Sequence, residues 1–502
     1  MKPKILSLHA SLRNGRWGRG VAELLKNIKL INDKKELFRF IHKEGKIRFE
    51  QFIEAGRKDG LAFDETYRNL RKSTGMQGLC NSEIGMVAAL WGAHYVGCEI
   101  SSAPLSSYFT INGQRKNLNE LKKKCLEADG FLFCTPVYFG DRSSLINDFI
   151  EFVRSDHELR NGIEGKVMAG VSVGAKRNGG QETTLIYQIL DMTNLGMLGV
   201  GNDSETTSQY GGTLHAGDIG TAADDEYGIN TAIGTGRRVG RVTREIFHSD
   251  PKRLIGKLRV MFWILQDNEG KAAKQVQNLV ADYGDGISAE ILNLSKSKFC
   301  RCIACDICPT DIGPDAVYRC INKGKNDQIR KIHERFLDQD LIIAVVYSAL
   351  DRNKLSSAYQ KFLERTRYLR RGDYLFTDTP VMPLVFEELG AGENMHIRIL
   401  TSIIRHHTIM MKSNICYIHK GEFLNYQDVV STWHTAIDQA KKIAVGRMTL
   451  ENGNNHITYK PVGYILSSTK DKEISINARR KILQEDRRRR RIADKERRLL
   501  KS

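Results

Sequence analysis

Long apolar runs are missing from this chain of 502 residues. No stretch is long enough to cross a membrane as a helix, and the apolar part of the N-terminal MKPKILSLHAS is too short for a signal peptide. We therefore expect a cytoplasmic protein without a membrane span. The 41% hydrophobic and 27% charged composition is typical of a globular protein, and the length exceeds what one hydrophobic core fills, so we expect at least two domains.

Phosphate-binding fingerprints are also missing from the first loop, which reads Ser11-Leu12-Arg13-Asn14-Gly15-Arg16-Trp17-Gly18. It matches neither GxGxxG nor GxxxxGK[ST], so the loop lacks the residues of a dinucleotide-binding motif and of a P-loop. The loop nevertheless lies between an apolar strand (4–11) and a segment of helical spacing. Free N–H groups at a helix start favour a phosphate there, and arginines add donors. An ordinary strand–helix turn with solvated arginines is the alternative.

Apolar strands alternate with amphipathic helices along most of the chain. The first cycle contains FLFCTPVYF (131–139) and KVMAGVSVG (166–174), and a second cycle starts at Lys257. Residues 127–152 also parallel residues 338–363. A tandem duplication is the simplest interpretation, and a chance likeness of two α/β units is the alternative. The pattern predicts an α/β fold with two doubly wound parallel sheets in tandem, and the charged segment 33–75 is expected to be a helical insertion in the first.

Two later loops complete a set in the first cycle. One is Thr135-Pro136-Val137-Tyr138-Phe139-Gly140, and the other runs from Gly174 to Glu182 and contains Gly179-Gly180. All three loops follow strands, and ligands of open α/β sheets bind at the carboxyl ends of strands. Tyr138 offers a flat face for an aromatic ligand, and the glycine pair lets the backbone approach closely. The alternative for the second loop is a buried strand end with a packed tyrosine.

Together, the three loops resemble those of the NAD(P)H-dependent FMN reductases and iron-sulfur flavoproteins of the flavodoxin-like superfamily. The resemblance covers about residues 1–247 outside the 33–75 insertion. It implies bound FMN, reduction by NAD(P)H and no catalytic side chain, since the flavin carries the chemistry. It also implies these cofactor-binding residues: Ser11, Arg13, Asn14, Gly15, Arg16, Trp17, Gly18, Thr135, Pro136, Val137, Tyr138, Phe139, Gly140, Gly174, Gly179 and Gly180.

The predicted organisation has three parts. Residues 1–250 form a flavodoxin-like FMN-binding domain, residues 255–450 a second, divergent flavodoxin-like domain, and residues 451–502 an extension with a basic helical tail. The first loop of the second domain, Leu265–Lys271, contains Asp267 and Glu269. Acidic residues at that place repel a phosphate, so we expect the flavin site of the second domain to be weakened or lost.

Five of the ten cysteines lie between residues 300 and 320. Cys302, Cys305, Cys308 and Cys320 supply four thiolates with a spacing that suits an iron–sulfur cluster or tetrahedral zinc; free or disulfide-forming thiols are the third interpretation. The resemblance to iron-sulfur flavoproteins implies a possible [4Fe-4S] cluster, although the last gap is longer than that family usually shows, whereas many FMN reductases of the superfamily keep a similar cysteine-rich segment without a cluster.

The net charge of +18 includes +7 from residues 471–502, with five arginines at 487–491. A solvated helix is one interpretation of this tail, and an acidic or nucleic-acid partner is the other. The main functional hypothesis is an FMN-dependent NAD(P)H oxidoreductase that reduces a small molecule or a redox partner protein. The alternatives are an iron-sulfur flavoprotein in electron transfer and a non-catalytic flavodoxin-like scaffold. A homo-oligomer is compatible with each.

Overall fold

The computed structural model describes residues 1–12, 19–54, 62, 64–65, 78–203, 205, 208–305, 307–308, 311–449 and 470–500. The chain divides into an N-terminal unit, Met1–Arg244, and a C-terminal unit, Glu245–Ser502. Within the described ranges, no helix combines the length and the apolar character needed to span a membrane.

The N-terminal unit is built around parallel strands in the order β2-β1-β3-β4, with β5 and β6 both paired to β4. The strands are β1 Lys4–His9, β2 Glu99–Pro104, β3 Gly130–Pro136, β4 Val167–Gly174, β5 Leu198–Gly199 and β6 Gly211–His215. All of β4 and most of β1 and β3 are buried, as expected for a parallel sheet covered on both faces. The order is that of flavodoxin-like folds.

Eight helices are described beside this sheet. They are α1 Arg19–Leu30, α2 Lys34–Glu54, α3 Asn81–Tyr95, α4 Leu118–Glu127, α5 Ser144–Ser155, α6 His157–Ile163, α7 Gln181–Asn194 and α8 Glu226–Phe247. Helix α3 is apolar all round and buried over nearly its whole length, because it packs against β1, β3 and β4. Helix α2 occupies the first half of the predicted insertion and packs beside residues 221–224.

The C-terminal unit repeats the same strand order. Its parallel strands run β8-β7-β9-β11-β13, while β10 and β14 add short antiparallel pairs. The strands are β7 Leu258–Asn268, β8 Ile287–Asn293, β9 Leu341–Ser348, β10 Leu355–Ser357, β11 Pro380–Glu388, β12 Ile409–Met410, β13 Asn414–His419 and β14 Glu422–Phe423. The predicted fold class is confirmed.

Helices of the C-terminal unit are α9 Lys271–Tyr283, α10 Gln328–Ile332, α11 Tyr359–Arg365, α12 Arg367–Asp373, α13 Met395–Ile403, α14 Tyr426–Thr449 and α15 Lys470–Arg498. The basic helix α15 contacts α14 and belongs to this unit, whereas the sequence placed it in a separate extension. Its Arg487 is buried, so the tail is not simply a solvated helix.

Candidate functional site

The three predicted loops of the N-terminal unit emerge from adjacent strands. The N–H of Ala10 donates to the carbonyl of Cys134 at 2.8 Å, and the N–H of Val137 donates to the carbonyl of Val173 at 2.9 Å. These hydrogen bonds align the ends of β1, β3 and β4. The loops therefore meet at the carboxyl edge of the sheet, which is where open α/β sheets bind their ligands.

The first loop begins at Ser11, which is buried after the end of β1. The thiol of Cys80, at the N-terminus of α3, lies 3.9 Å from the Ser11 hydroxyl. The predicted phosphate ligands that follow, Arg13, Asn14, Gly15, Arg16, Trp17 and Gly18, lie outside the described residues. Their assignment stays a prediction that rests on the sequence.

The second loop is a tight turn that exposes two aromatic rings. The backbone groups of Tyr138 and Asp141 exchange hydrogen bonds of 2.8 and 2.9 Å. Phe139 and Gly140 between them both have positive φ, +53° and +78°, the pattern of a type I′ turn. Tyr138 is 55% exposed and Phe139 is fully exposed. Such apolar exposure beside a loop of small residues suits a flat aromatic ligand.

Buried hydroxyls fix the base of this turn. Thr135 is fully buried, and its hydroxyl accepts a hydrogen bond of 3.0 Å from the N–H of Ser143. Ser143 is in turn the N-cap of α5, since its side chain accepts from the N–H of Leu145. Pro136 ends β3 and Val137 begins the turn, so this predicted loop is held at both ends.

The third loop packs directly on the second. Gly180 has φ +100°, and a Cβ there would lie 2.8 Å from the Cα of Gly140. The side chain of Gln181 donates to the carbonyls of Lys176 at 2.7 Å and Leu214 at 3.1 Å, which ties the loop to β6. Gly174 and Gly179 lie on the same loop. The backbone is thus compact and held in place where the resemblance expects a flavin ring to approach.

A charged network that the sequence analysis did not assign borders this loop. Arg177 pairs with the buried carboxylate of Asp225 and donates to the carbonyl of Thr213 at 3.1 Å. Asp225 also accepts from the N–H groups of His215 at 2.8 Å and Gly228 at 3.0 Å, so it caps α8. An aspartate just before a helix is a recognisable N-cap signal, but the partner Arg177 lies 48 positions away.

At the corresponding edge of the C-terminal unit, acidic and amide side chains occupy the space. The Asp267 carboxylate accepts from the N–H of Ala272 at 2.8 Å, within the first turn of α9. The Gln266 amide donates to Glu393 at 2.9 Å, and the Tyr347 hydroxyl donates to Glu388 at 2.8 Å. A carboxylate of the protein therefore sits where a phosphate would bind in a flavodoxin-like domain.

The cysteine segment follows β8 and brings four thiols near one another. Burial, together with the thiols of Cys305, Cys320 and Cys302, raises the pKa of Cys308 to about 12. Among the described residues, however, no group of three or more Cys, His, Asp or Glu side chains is arranged to hold a metal ion. Thiols are the donors that an iron–sulfur cluster requires, but their arrangement in the described residues does not fit a bound cluster.

Helix α15 anchors the cysteine segment through Asp315. The guanidinium of Arg487 binds both carboxylate oxygens of Asp315, at 2.8 and 2.9 Å, and Arg490 binds it at 2.5 Å. Burial by itself would raise the pKa of Asp315, but the two arginines outweigh it and lower the pKa to about 2. The arginine run is thus used in part inside the protein.

Residues 87–208 match the NADPH-dependent FMN reductase family. An iron-sulfur flavoprotein of Methanocaldococcus jannaschii is 38% identical over 133 residues, which are 26% of this chain and 66% of that protein. A NAD(P)H dehydrogenase (quinone) of Solidesulfovibrio magneticus is 30% identical over 24% of this chain and 64% of its own length. An iron-sulfur flavoprotein of Methanosarcina thermophila is 32% identical over 24% and 60%.

This chain therefore spans less than two thirds of each of these relatives. Among solved structures, a flavodoxin, WrbA-like protein from Agrobacterium tumefaciens matches with 15% identity and a TM-score of 0.26, over 48% of this chain and 98% of its own. RosB matches with 10% identity and a TM-score of 0.30, over 60% and 95%. The predicted resemblance to the FMN reductase and iron-sulfur flavoprotein group is confirmed by the sequence matches, and the strand order defines the fold independently.

Proposed function

We propose that this chain is an FMN-dependent oxidoreductase whose flavin binds at the carboxyl edge of the N-terminal unit. The observation that carries the proposal is the packing of the loop at Gly180 against the turn at Gly140, beside exposed aromatic rings and within the segment that matches the FMN reductases. Bound FMN would supply hydride and electron transfer. The acceptor would be a small molecule or a redox partner protein, and the location would be cytoplasmic.

In this proposal the protein positions and shields the cofactor. The loop from Ser11 to Gly18, outside the described residues except for Ser11 and Leu12, would hold the phosphate. Tyr138 would pack against the ring. The backbone near Gly179 and Gly180 would lie close to the ring, because neither residue has a side chain to separate them. No side chain need act as an acid or a base.

The direct test is titration of the purified full chain with FMN, followed by anaerobic addition of NADPH and, separately, NADH. We expect quenching of flavin fluorescence at one FMN per chain and loss of the yellow absorbance on reduction. The double variant Arg13→Ala with Arg16→Ala should bind FMN at least tenfold more weakly, because charge-assisted hydrogen bonds contribute about 1.5–3 kcal/mol. A chain that takes up no FMN would refute the proposal, and two FMN per chain would place a second flavin in the C-terminal unit.

An iron-sulfur flavoprotein that transfers electrons is the second candidate, supported by the similarity to the iron-sulfur flavoproteins of Methanocaldococcus jannaschii and Methanosarcina thermophila and by the sequence spacing of Cys302, Cys305, Cys308 and Cys320. Iron and acid-labile sulfide analysis of anaerobically purified protein distinguishes it from the first. The scaffold hypothesis, with an acidic or nucleic-acid partner on the tail, receives less support because Arg487 and Arg490 already bind Asp315.

A further inference from the structure

A charged cavity of about 90 Å³ lies in the C-terminal unit beside helices α14 and α15. Its volume is several times what one water molecule needs. Five arginines line it: Arg259, Arg447, Arg487, Arg490 and Arg491. No residue assigned to the flavin in the sequence lines this cavity, and nothing in the proposed function uses it.

The aspartates that line the same cavity are already bound to other arginines. Asp315 binds Arg487 and Arg490. Asp340 binds Arg259 at 3.1 Å and, from outside the cavity lining, Arg498 at 2.6 Å. These ion pairs neutralise one side of the cavity.

The two remaining aspartates are used in the same way. Asp494 binds Arg259 at 2.7 Å, and Asp338 binds Arg490 at 3.4 Å. No lining carboxylate is therefore left for the two other arginines, Arg447 and Arg491. The positive charge of the cavity is concentrated on this pair.

Within the described part of the chain, Arg491 has neither a hydrogen bond nor an ion pair. Arg447 donates through Nη1 to the carbonyl of Gln339 at 3.2 Å, while its buried Nε has no partner. Burial and the charges of Arg447 and Arg487 lower the pKa of Arg491 to about 10, while the carboxylates of Glu245 and Asp378 act in the opposite direction. A guanidinium in such surroundings is costly unless an anion joins it.

We propose that this cavity binds a free tetrahedral oxyanion of the phosphate class between Arg447 and Arg491. Guanidinium groups offer planar pairs of N–H donors that match two oxygens of such an anion. The limited volume excludes a nucleoside attached to the phosphate, because pockets for ligands of that size measure about 300 Å³ or more. The bound anion would hold α15 against the unit and so strengthen the contact of Arg487 with Asp315.

The test compares the thermal unfolding of the full chain, saturated with FMN, in potassium phosphate and in potassium chloride of equal ionic strength. FMN saturation removes competition for the phosphate loop of the flavin site. We expect phosphate to raise the unfolding midpoint of the parent protein and of Arg489→Gln, a control on the exposed face of α15, where that side chain is 73% exposed. Calorimetric titration with phosphate then gives the dissociation constant.

Arg491→Gln and, separately, Arg447→Gln should weaken phosphate binding about tenfold or more. In chloride, Arg491→Gln should be at least as stable as the parent, because the variant no longer buries a guanidinium charge beside Arg447 and Arg487. Equal midpoints of the parent in phosphate and chloride would overturn the proposal, and so would a full phosphate effect in both variants. Stabilisation by adenosine monophosphate through Arg491 would overturn the assignment to a free oxyanion.

Discussion

The two units share a strand order and differ in what fills the carboxyl edge of the sheet. In the N-terminal unit this edge carries a glycine contact at Gly180 and exposed rings at Tyr138 and Phe139. In the C-terminal unit the same edge is filled by hydrogen bonds of Asp267 and Gln266. The first edge exposes aromatic side chains, and at the second edge carboxylate and amide side chains of the protein hydrogen-bond to groups of the same unit. A shared fold therefore does not imply a shared site.

A second difference lies after the second strand of each sheet. Residues 105–117 connect β2 to α4 in the N-terminal unit, whereas residues 294–327 connect β8 to α10 in the C-terminal unit and contain the cysteine segment. The loops proposed to bind flavin and the cysteine segment thus lie in different units. Each of the following experiments changes one unit and asks whether the other responds.

The largest expected effect is on the C-terminal unit alone. Arg487→Met leaves the buried carboxylate of Asp315 without its main partner, and breaking such a pair costs about 3–5 kcal/mol. Hydrogen exchange read by mass spectrometry should show faster exchange at residues 311–320 and unchanged exchange at β1, β3 and β4. Arg488→Met is the control, since that side chain is half exposed. Equal effects of the two variants would refute the anchoring role of Arg487.

Acid is expected to act on both units, because each contains a buried neutral histidine. Burial lowers the pKa of His9 and of His406 to about 3. The unfolded chain therefore takes up protons first as the pH falls below about 6.5, so folding stability is lost from there towards pH 3. At pH 4 the loss is about 3 kcal/mol for each histidine.

Denaturant unfolding at pH 7 and pH 4 checks this expectation. His9→Gln should reduce the acid sensitivity of the N-terminal unit only, and His406→Gln that of the C-terminal unit only. Identical pH dependence in the parent and in both variants would contradict the assignment.

Replacing one glycine by alanine at the carboxyl edge of each sheet tests whether only the N-terminal edge binds FMN. Gly180 and Gly270 both precede a helix with positive φ, +100° and +88°, but an added Cβ meets the backbone of Gly140 only in the first case. Both Gly180→Ala and Gly270→Ala should lower folding stability, because alanine disfavours the left-handed backbone conformation. Only Gly180→Ala should also weaken FMN binding, by about 100-fold, since overpacking of this kind costs up to about 3 kcal/mol. Fluorescence titration measures the FMN affinity of both variants. Equal affinities of Gly180→Ala and Gly270→Ala would contradict the proposed difference between the two edges.

The smallest effect concerns the carboxylate that stands in the place of a phosphate. Asp267→Ala removes the carboxylate that accepts from the N–H of Ala272 in the first turn of α9 and should destabilise the C-terminal unit by about 1 kcal/mol. Asp267→Asn, which keeps an acceptor oxygen, should recover most of that loss. Denaturant unfolding of both variants provides the measurement, with FMN stoichiometry unchanged throughout. If either variant binds an additional FMN, the charge of Asp267 alone would explain why the two sheet edges differ in flavin binding.

Features that depend on neighbouring residues could be predicted from the sequence. Strand and helix alternation predicted the fold class, and the loops at Pro136 and Gly180 were predicted as neighbours because parallel strands end at one edge. Contacts between distant positions were not predictable in this way. Asp315 and Arg487 are 172 positions apart, and neither lies in a pattern that names its partner. Charge runs alone do not distinguish a solvated helix from one whose arginines enter ion pairs.

Asp267 has a consequence for how the protein responds to cofactor supply. The Asp267 carboxylate belongs to the same chain and is present at a high effective concentration whatever the composition of the surroundings, so the N–H groups at the start of α9 always have an acceptor. Under the proposed function, the stability that the N-terminal unit gains from FMN grows with the logarithm of the FMN concentration above the dissociation constant. A cell short of flavin would then lose order in the N-terminal unit first, while the C-terminal unit kept its shape.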